Sequence, residues 1–233
     1  MLASVICACR NEQVDIGGLL DSLAKQTHSN FEAIFVDDST DSTRDIIREY
    51  RDDRFAVIEG LGTGCCDARN VGIDLARGDF IVFVTGDTVL PANHLERMCN
   101  FFECKLAEVV VCDAQSLNDE SEVVKFYNLQ HFCDRGVIDL TSQGYAVDTK
   151  LAKAVGGIPS FQWVGVNSCR DWMLAERMMR YGARHVVDNS SVVGHVSPSS
   201  LRDFFNDRKL RGRMSSVDKL TRQSVSFRRL FLL

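Results

Sequence analysis

The chain of 233 residues is 45% hydrophobic and 25% charged, which excludes a disordered polypeptide and fits one large domain, or one domain with an appendage. Its net charge of −5 carries no general nucleic-acid signal, although residues 202–229 hold nine Lys/Arg against three Asp/Glu, a local +6 that leaves −11 for the remainder. Nine cysteines without a CxxC pair exclude structural-zinc spacing and suit buried thiols in a reducing cytoplasm, and no run approaches the roughly 20 apolar residues of a membrane span.

Residues 2–8 form an apolar run and read as the first strand. Asn11 or Asp15 is placed to cap the next helix, in which Ile16, Leu19, Leu20 and Leu23 repeat at i, i+3, i+4 and i+7. Residues 31–36 are a second strand ending in Asp37-Asp38-Ser39, Asp41-Ser42-Thr43 caps a second helix, and residues 55–58 are a third strand. The loop 60–64 is glycine-rich but departs from the dinucleotide pattern GxGxxG, because Cys65 stands where the third glycine belongs. A helix is predicted over 67–76. The apolar run 80–84 then stops abruptly at Thr85-Gly86-Asp87. Such a run suits a strand buried on both faces, and a carboxylate just past its carboxyl end stands where open α/β sheets bind ligands. Pro91 opens a further helix with Leu95, Met98, Cys99 and Phe102 inward, and residues 109–111 are a fifth strand. This alternation is the rhythm of a parallel sheet with helices on both faces.

After Asp113 the rhythm stops. Residues 115–139 are polar and aromatic and read as a variable excursion with some helix over 122–130. A strand over 144–148 and a short helix over 151–155 follow, the helix ending at Gly156-Gly157. A glycine-flanked loop over 161–167 holds Trp163. The helix over 170–180 turns Leu174, Ala175 and Met178 inward and has Gly182 past its end. Short strands are predicted over 185–187 and 191–193, and Ser200-x-x-Asp203 is a capping box that opens the basic tail.

Taken together, Cys9-Arg10-Asn11-Glu12, Val36-Asp37-Asp38-Ser39-Thr40-Asp41, Ala68-Arg69-Asn70-Val71-Gly72, Arg77-Gly78-Asp79-Phe80, Thr85-Gly86-Asp87, Val155-Gly156-Gly157 and Arg170-Asp171-Trp172 resemble the family-2 glycosyltransferases of the GT-A fold, in order and over residues 3–213. The resemblance implies a Rossmann-like α/β domain over 1–201, with a nucleotide-sugar half (1–113), an acceptor half (114–201) and a basic helical tail over 202–233. It implies that Asp38 binds the nucleotide through its base or ribose, since a carboxylate accepts from ring N–H and hydroxyl groups. Asp37 and Asp38 also suit a simple turn before the helix. Glu12 and Arg69 match positions lining the nucleotide pocket, with Arg69 reaching a phosphate or ribose or else sitting in a surface ion pair. Thr85, Gly86 and Asp87 match the family's Asp-x-Asp, with Thr85 in place of the first acid. Asp87 then holds Mg²⁺ or Mn²⁺ against the donor diphosphate, or only caps the helix region that Pro91 opens.

By the same resemblance Asp171 is the catalytic base of an inverting transfer, although Ser168-x-x-Asp171 is itself a capping box and Arg170 replaces the family's Glu. His195 matches a histidine near the diphosphate or metal, or is structural. Trp163 or Phe161 stacks on an acceptor sugar or packs in the core. Arg208 and Arg211 lie where polysaccharide synthases of the family carry Gln-x-x-Arg-Trp. The Gln and Trp are absent, which argues against processive polymer synthesis and leaves these arginines to meet the diphosphate, an anionic lipid surface or solvent. The implied partners are a nucleotide-diphospho-sugar donor, UDP-linked first, and a saccharide or lipid-linked acceptor. The expected location is the cytoplasm or the inner face of a membrane, and the terminal Phe-Leu-Leu folds back, anchors, or marks a cut in a longer chain. A non-catalytic nucleotide-sugar binder and a nucleotidyltransferase are the alternatives; the second would want a glycine-rich basic loop near the first strand, and residues 7–12 contain no glycine.

Overall fold

The computed structural model describes residues 1–118, 121–125, 143–159, 171–197, 200–202 and 204–206. In chain order the elements are β1 (Ala3–Cys9), α1 (Ile16–Ala24), β2 (Phe31–Asp37), α2 (Thr43–Glu49), β3 (Phe55–Glu59), α3 (Cys65–Leu75), β4 (Phe80–Val84), β5 (Thr88–Val89), α4 (His94–Glu103), β6 (Val109–Ser116), β7 (Tyr145–Asp148), α5 (Thr149–Ala154), α6 (Asp171–Arg180) and β8 (His185–His195). They form one sheet in the order β3-β2-β1-β4-β7-β6-β8-β5.

β3, β2, β1 and β4 are mutually parallel, as the alternation of strands and helices predicts. Every residue of β4 is buried, because helices cover both of its faces. Alternate side chains divide the core. Val5, Cys7, Phe35, Val82 and Val84 pack under α1 and α4, while Ile6, Ile34, Ile81 and Phe83 pack under α3, α5 and α6. Cys7 and Cys9 fall on the same face with their sulfurs 3.4 Å apart; the bond to Cys7 and burial push the Cys9 thiol up, which makes it an inert core group.

The fifth predicted strand does not lie beside β4. β7 separates them and runs antiparallel to both β4 and β6. The pairing places Tyr145 opposite Phe83, and the two rings stack with centroids 4.9 Å apart, a cross-strand contact that favours this neighbour. β6 also runs on to Ser116, and the two short strands expected after residue 185 are one strand, β8, parallel to β6. Its register jumps between Cys112 and Asp113. There Asp188 accepts from the Ser190 amide (3.0 Å) and from both Arg97 Nε (2.9 Å) and Nη2 (2.7 Å) on α4. The Asp188-Asn189-Ser190 stretch therefore resembles a strand break in sequence but is an irregularity inside a continuous strand.

Neither Asn11 nor Asp15 caps α1 with its side chain. The Asp15 and Ile16 amides donate to the Glu12 carbonyl (3.0 and 2.9 Å), while Asn11, at φ 60°, accepts from the Thr40 amide at 2.9 Å. Asn11 is thus spent on joining two loops rather than on starting a helix. Among the described residues no helix is long and apolar enough to cross a membrane.

Candidate functional site

The carboxyl ends of β1, β2 and β4 lie side by side, and the loops that leave β1 and β2 are tied together. The Asp38 amide donates to the Cys9 carbonyl (3.0 Å), the Glu12 amide to Thr43 Oγ1 (2.8 Å) and the Gln13 amide to Asp41 Oδ2 (3.3 Å). Asp41 also accepts from the Thr43 amide (3.0 Å) and hydroxyl (2.5 Å), the capping contact expected at the start of α2.

The adjacent acids Asp37 and Asp38 have different surroundings. Asp37 is fully buried and accepts from Arg44 Nε (2.8 Å) and Ser39 Oγ (2.5 Å). Asp38 is half-buried and faces the glycine-rich loop, where the Gly62 amide donates to its Oδ1 at 2.8 Å. A Cβ on Gly60 would stand 2.2 Å from the same oxygen, and Gly62 has φ 67°, so the loop wraps the carboxylate only because glycine occupies both positions. The glycine-rich loop therefore cradles an acid of its own chain.

Beyond β4, the Thr85 hydroxyl donates to Asp87 Oδ1 at 2.5 Å and lies 2.9 Å from Thr88 Oγ1, which in turn accepts from the Thr85 amide at 3.0 Å. With Thr85 donating to the carboxylate, the Thr88 hydroxyl donates to Thr85, giving a short relay that orients Asp87. Sequence reading missed Thr88; its spacing three residues after Thr85, across a tight turn, was the available signal.

Glu12 lies across this turn: a Cβ on Gly86 would come within 2.5 Å of Glu12 Cγ. Burial, reinforced by Asp87, Asp15 and Asp41, pushes the Glu12 carboxyl up to about 7. The rim therefore concentrates negative charge. Arg69, on α3, is completely buried rather than in a surface ion pair. Its guanidinium carbon lies 5.6 Å from the Phe83 ring centre, and its Nη2 is 3.5 Å from the Val84 carbonyl, directly behind the turn that carries Asp87.

His195 ends β8 and sits opposite Thr88 in the antiparallel β5–β8 pair, which brings it beside the Asp87 turn. It is 2% exposed. Its Nδ1 donates to the Val196 carbonyl (3.2 Å), a bond that requires the proton on Nδ1 and leaves Nε2 as an acceptor facing Ser197 Oγ at 3.5 Å. Among the described residues no three His, Cys, Asp or Glu side chains form a metal-holding group, so a cation here would take much of its shell from a ligand. Asp171 is the first residue of α6. Trp163, Phe161, Arg170, Arg208 and Arg211 lie outside the described residues, as does most of the basic tail.

A family model described as glycosyl transferase family 2 matches residues 4–144. Among curated proteins, the putative glycosyltransferase EpsH of Bacillus subtilis is 40% identical over 98 residues, covering 41% of this chain and 28% of EpsH. UDP-Glc:alpha-D-GlcNAc-diphosphoundecaprenol beta-1,3-glucosyltransferase WfgD of Escherichia coli is 31% identical over 127 residues, covering 54% of this chain and 50% of WfgD. The chain thus spans half or less of the length of these relatives. Among solved structures, S. aureus TarS 1-349 in complex with UDP-GlcNAc superposes with a TM-score of 0.68 at 22% identity, over 86% of this chain and 60% of that one. Mannosyltransferase PcManGT from Pyrobaculum calidifontis, in complex with GDP-Man and Mn²⁺, gives 0.67 at 21% identity, over 85% and 58%. At these identities the likeness is one of fold.

Proposed function

Because the chain belongs to glycosyl transferase family 2, we propose that it moves one sugar from a nucleotide-diphosphate donor, UDP-linked first, to a hydroxyl of a saccharide or lipid-linked acceptor, with inversion and with the help of a divalent cation. The observation that carries this reading is the shared rim: Asp38 wrapped by its glycine loop, Glu12 folded over Gly86, and Asp87 oriented by Thr85. The TarS complex with UDP-GlcNAc and the PcManGT complex with GDP-Man and Mn²⁺ support a nucleotide-sugar and a metal on this fold, and the name of WfgD supports a lipid-linked acceptor.

The residues fit a cation that shares its shell with a diphosphate. Asp87 presents an oriented carboxylate, and Glu12, raised chiefly by burial and further by Asp87, adds a second carboxyl beside it. Asp87 would hold Mg²⁺ or Mn²⁺, with His195 alongside. Such an ion supplies charge neutralisation on the departing diphosphate. Asp38 fixes the base or ribose, and Arg69 supports the β4 end from behind. On the acceptor side, the acceptor oxygen bonds to the anomeric carbon as the bond from that carbon to the diphosphate oxygen breaks. Asp171 takes the acceptor proton, its ionised form favoured at the first position of a helix. Trp163 and Arg170 line the acceptor approach. Arg208 and Arg211 meet the diphosphate or an anionic membrane face.

The Thr85–Asp87 bond also suits a subunit that binds a nucleotide-sugar without turning it over, because Thr85 removes one acid from the metal motif. A thermal-shift screen of UDP, GDP and dTDP, each with and without Mn²⁺, followed by donor turnover, tests the proposal. UDP with Mn²⁺ is expected to raise Tm most, with transfer or slow donor hydrolysis detectable. Binding without turnover of any donor leaves the binder as the function, and no shift with any nucleotide overturns both.

A further inference from the structure

We propose that Asn70 is a positioning residue that clasps the acceptor half to the nucleotide half, an inference that rests on the transferase reading for its kinetic consequence but not for its geometry. Asn70 follows Arg69 on α3. Its Nδ2 donates to the Ile158 carbonyl and its Oδ1 accepts from the Ile158 amide, both at 2.8 Å, as a neighbouring strand would. Ile158 is 1% exposed, so these backbone groups have no ready access to water. The turn before it is shaped for this contact. Gly156 and Gly157 have φ of 80° and 65°, and a Cβ on Gly157 would stand 2.5 Å from Asn70 Oδ1.

The same turn is held from its other side. Arg177 Nη1 on α6 donates to the Gly157 carbonyl at 3.2 Å. Lys153 on α5 donates to the Ala76 carbonyl just past α3 at 2.9 Å. Three separated sequence motifs, at Asn70, Gly157 and Arg177, therefore meet at one point. Arg177 lies about 9 Å along α6 from Asp171 at the usual helical rise. The clasp consequently ties α6, the helix that begins at Asp171, to α3 and so to the nucleotide half. Its bonds are all to the chain's own backbone, so its effect on the reaction runs through the placement of α6.

Two readouts test this. Amide hydrogen exchange in Asn70→Ser is expected to rise about tenfold or more in segments 156–159 and 171–180, with β1 and β4 unchanged. UDP affinity is expected to stay within about twofold while kcat falls roughly 10- to 100-fold, the cost of a base held about 1 Å out of place. Gly157→Ala strains the turn from the opposite side and is expected to give the same pattern. Adding Asn70→Ser to it should cost less than the sum of the two, because the serine no longer meets the new Cβ. Wild-type exchange in 171–180, or UDP affinity falling in step with kcat, overturns the proposal. A wild type that binds no nucleotide overturns the transferase reading, while the exchange pattern still decides the clasp.

Discussion

The two halves of the sheet are assembled on different terms. In β3-β2-β1-β4 every strand is parallel, and each after β1 is reached through the helix that precedes it. In β7-β6-β8-β5 directions are mixed, and β8 pairs with both β6 and the two-residue β5 far back in the chain. The first half presents acids at adjacent strand ends, and the second brings His195 beside the Asp87 turn by long-range pairing. On the proposed function, the parallel half would hold the donor and the mixed half would carry the acceptor chemistry.

Four perturbations sharpen or break that division. The largest effect is expected from Asp171→Asn, which should lower the transfer rate about 10²- to 10⁴-fold with UDP affinity unchanged, as measured by steady-state kinetics beside calorimetry. An equal loss of UDP affinity would place Asp171 on the donor side.

The next is a stability effect within the mixed half. His94 is wholly buried, its Nε2 donating to the Gly144 carbonyl and its Nδ1 accepting from Ser191 Oγ, both at 2.8 Å, so it joins α4 to the entry of β7 and to β8. Burial lowers its pKa to about 4. The unfolded chain then binds more protons than the fold between about pH 6.5 and 4. The stability is present above the first value and is lost as pH falls to the second, by about 3 kcal/mol in all. Urea unfolding across this window should show the loss, and His94→Gln should remove that part of the slope.

Asp38→Ala is expected to weaken UDP binding roughly tenfold or more, the worth of hydrogen bonds to a charged group, with little change in kcat at saturating donor. The smallest effect is expected at Glu12. Its raised pKa means that the fold binds the extra proton between about pH 4.5 and 7, so ionising it above that window costs stability. Glu12→Gln should therefore stabilise the ligand-free protein at pH 8 by about 1–2 kcal/mol, a figure already reduced for its partly open side, and by almost nothing at pH 4. Melting curves at the two pH values measure it.

Legibility in the sequence followed the same line between halves. The parallel strands were readable because each is a local apolar run ended by turn residues, as at Val84-Thr85-Gly86. The place of β7 between β4 and β6 was not, because it depends on the Phe83–Tyr145 pairing rather than on any local pattern. The expected side-chain caps of α1 failed for a related reason, since Asn11 and Asp15 sit in a loop whose bonds are to another loop. Glu12, Asp38 and the Thr85-Gly86-Asp87 turn were named from motifs and lie at neighbouring strand ends, with Arg69 buried behind the last of them. The burial of Arg69, the threonine relay and the Asn70 clasp were invisible, because each depends on which way a side chain turns once the strands are in place.

On the proposed function, the Asp87 turn would hold a cation together with the donor diphosphate, while Asp171 would belong to the acceptor side. Calorimetric titration of UDP, with and without Mn²⁺, into the wild type, Asp87→Asn and Asp171→Asn tests it most directly. Mn²⁺-dependent UDP binding is expected in the wild type and Asp171→Asn, and loss of the Mn²⁺ dependence in Asp87→Asn. UDP binding that is equally Mn²⁺-dependent in Asp87→Asn would contradict it.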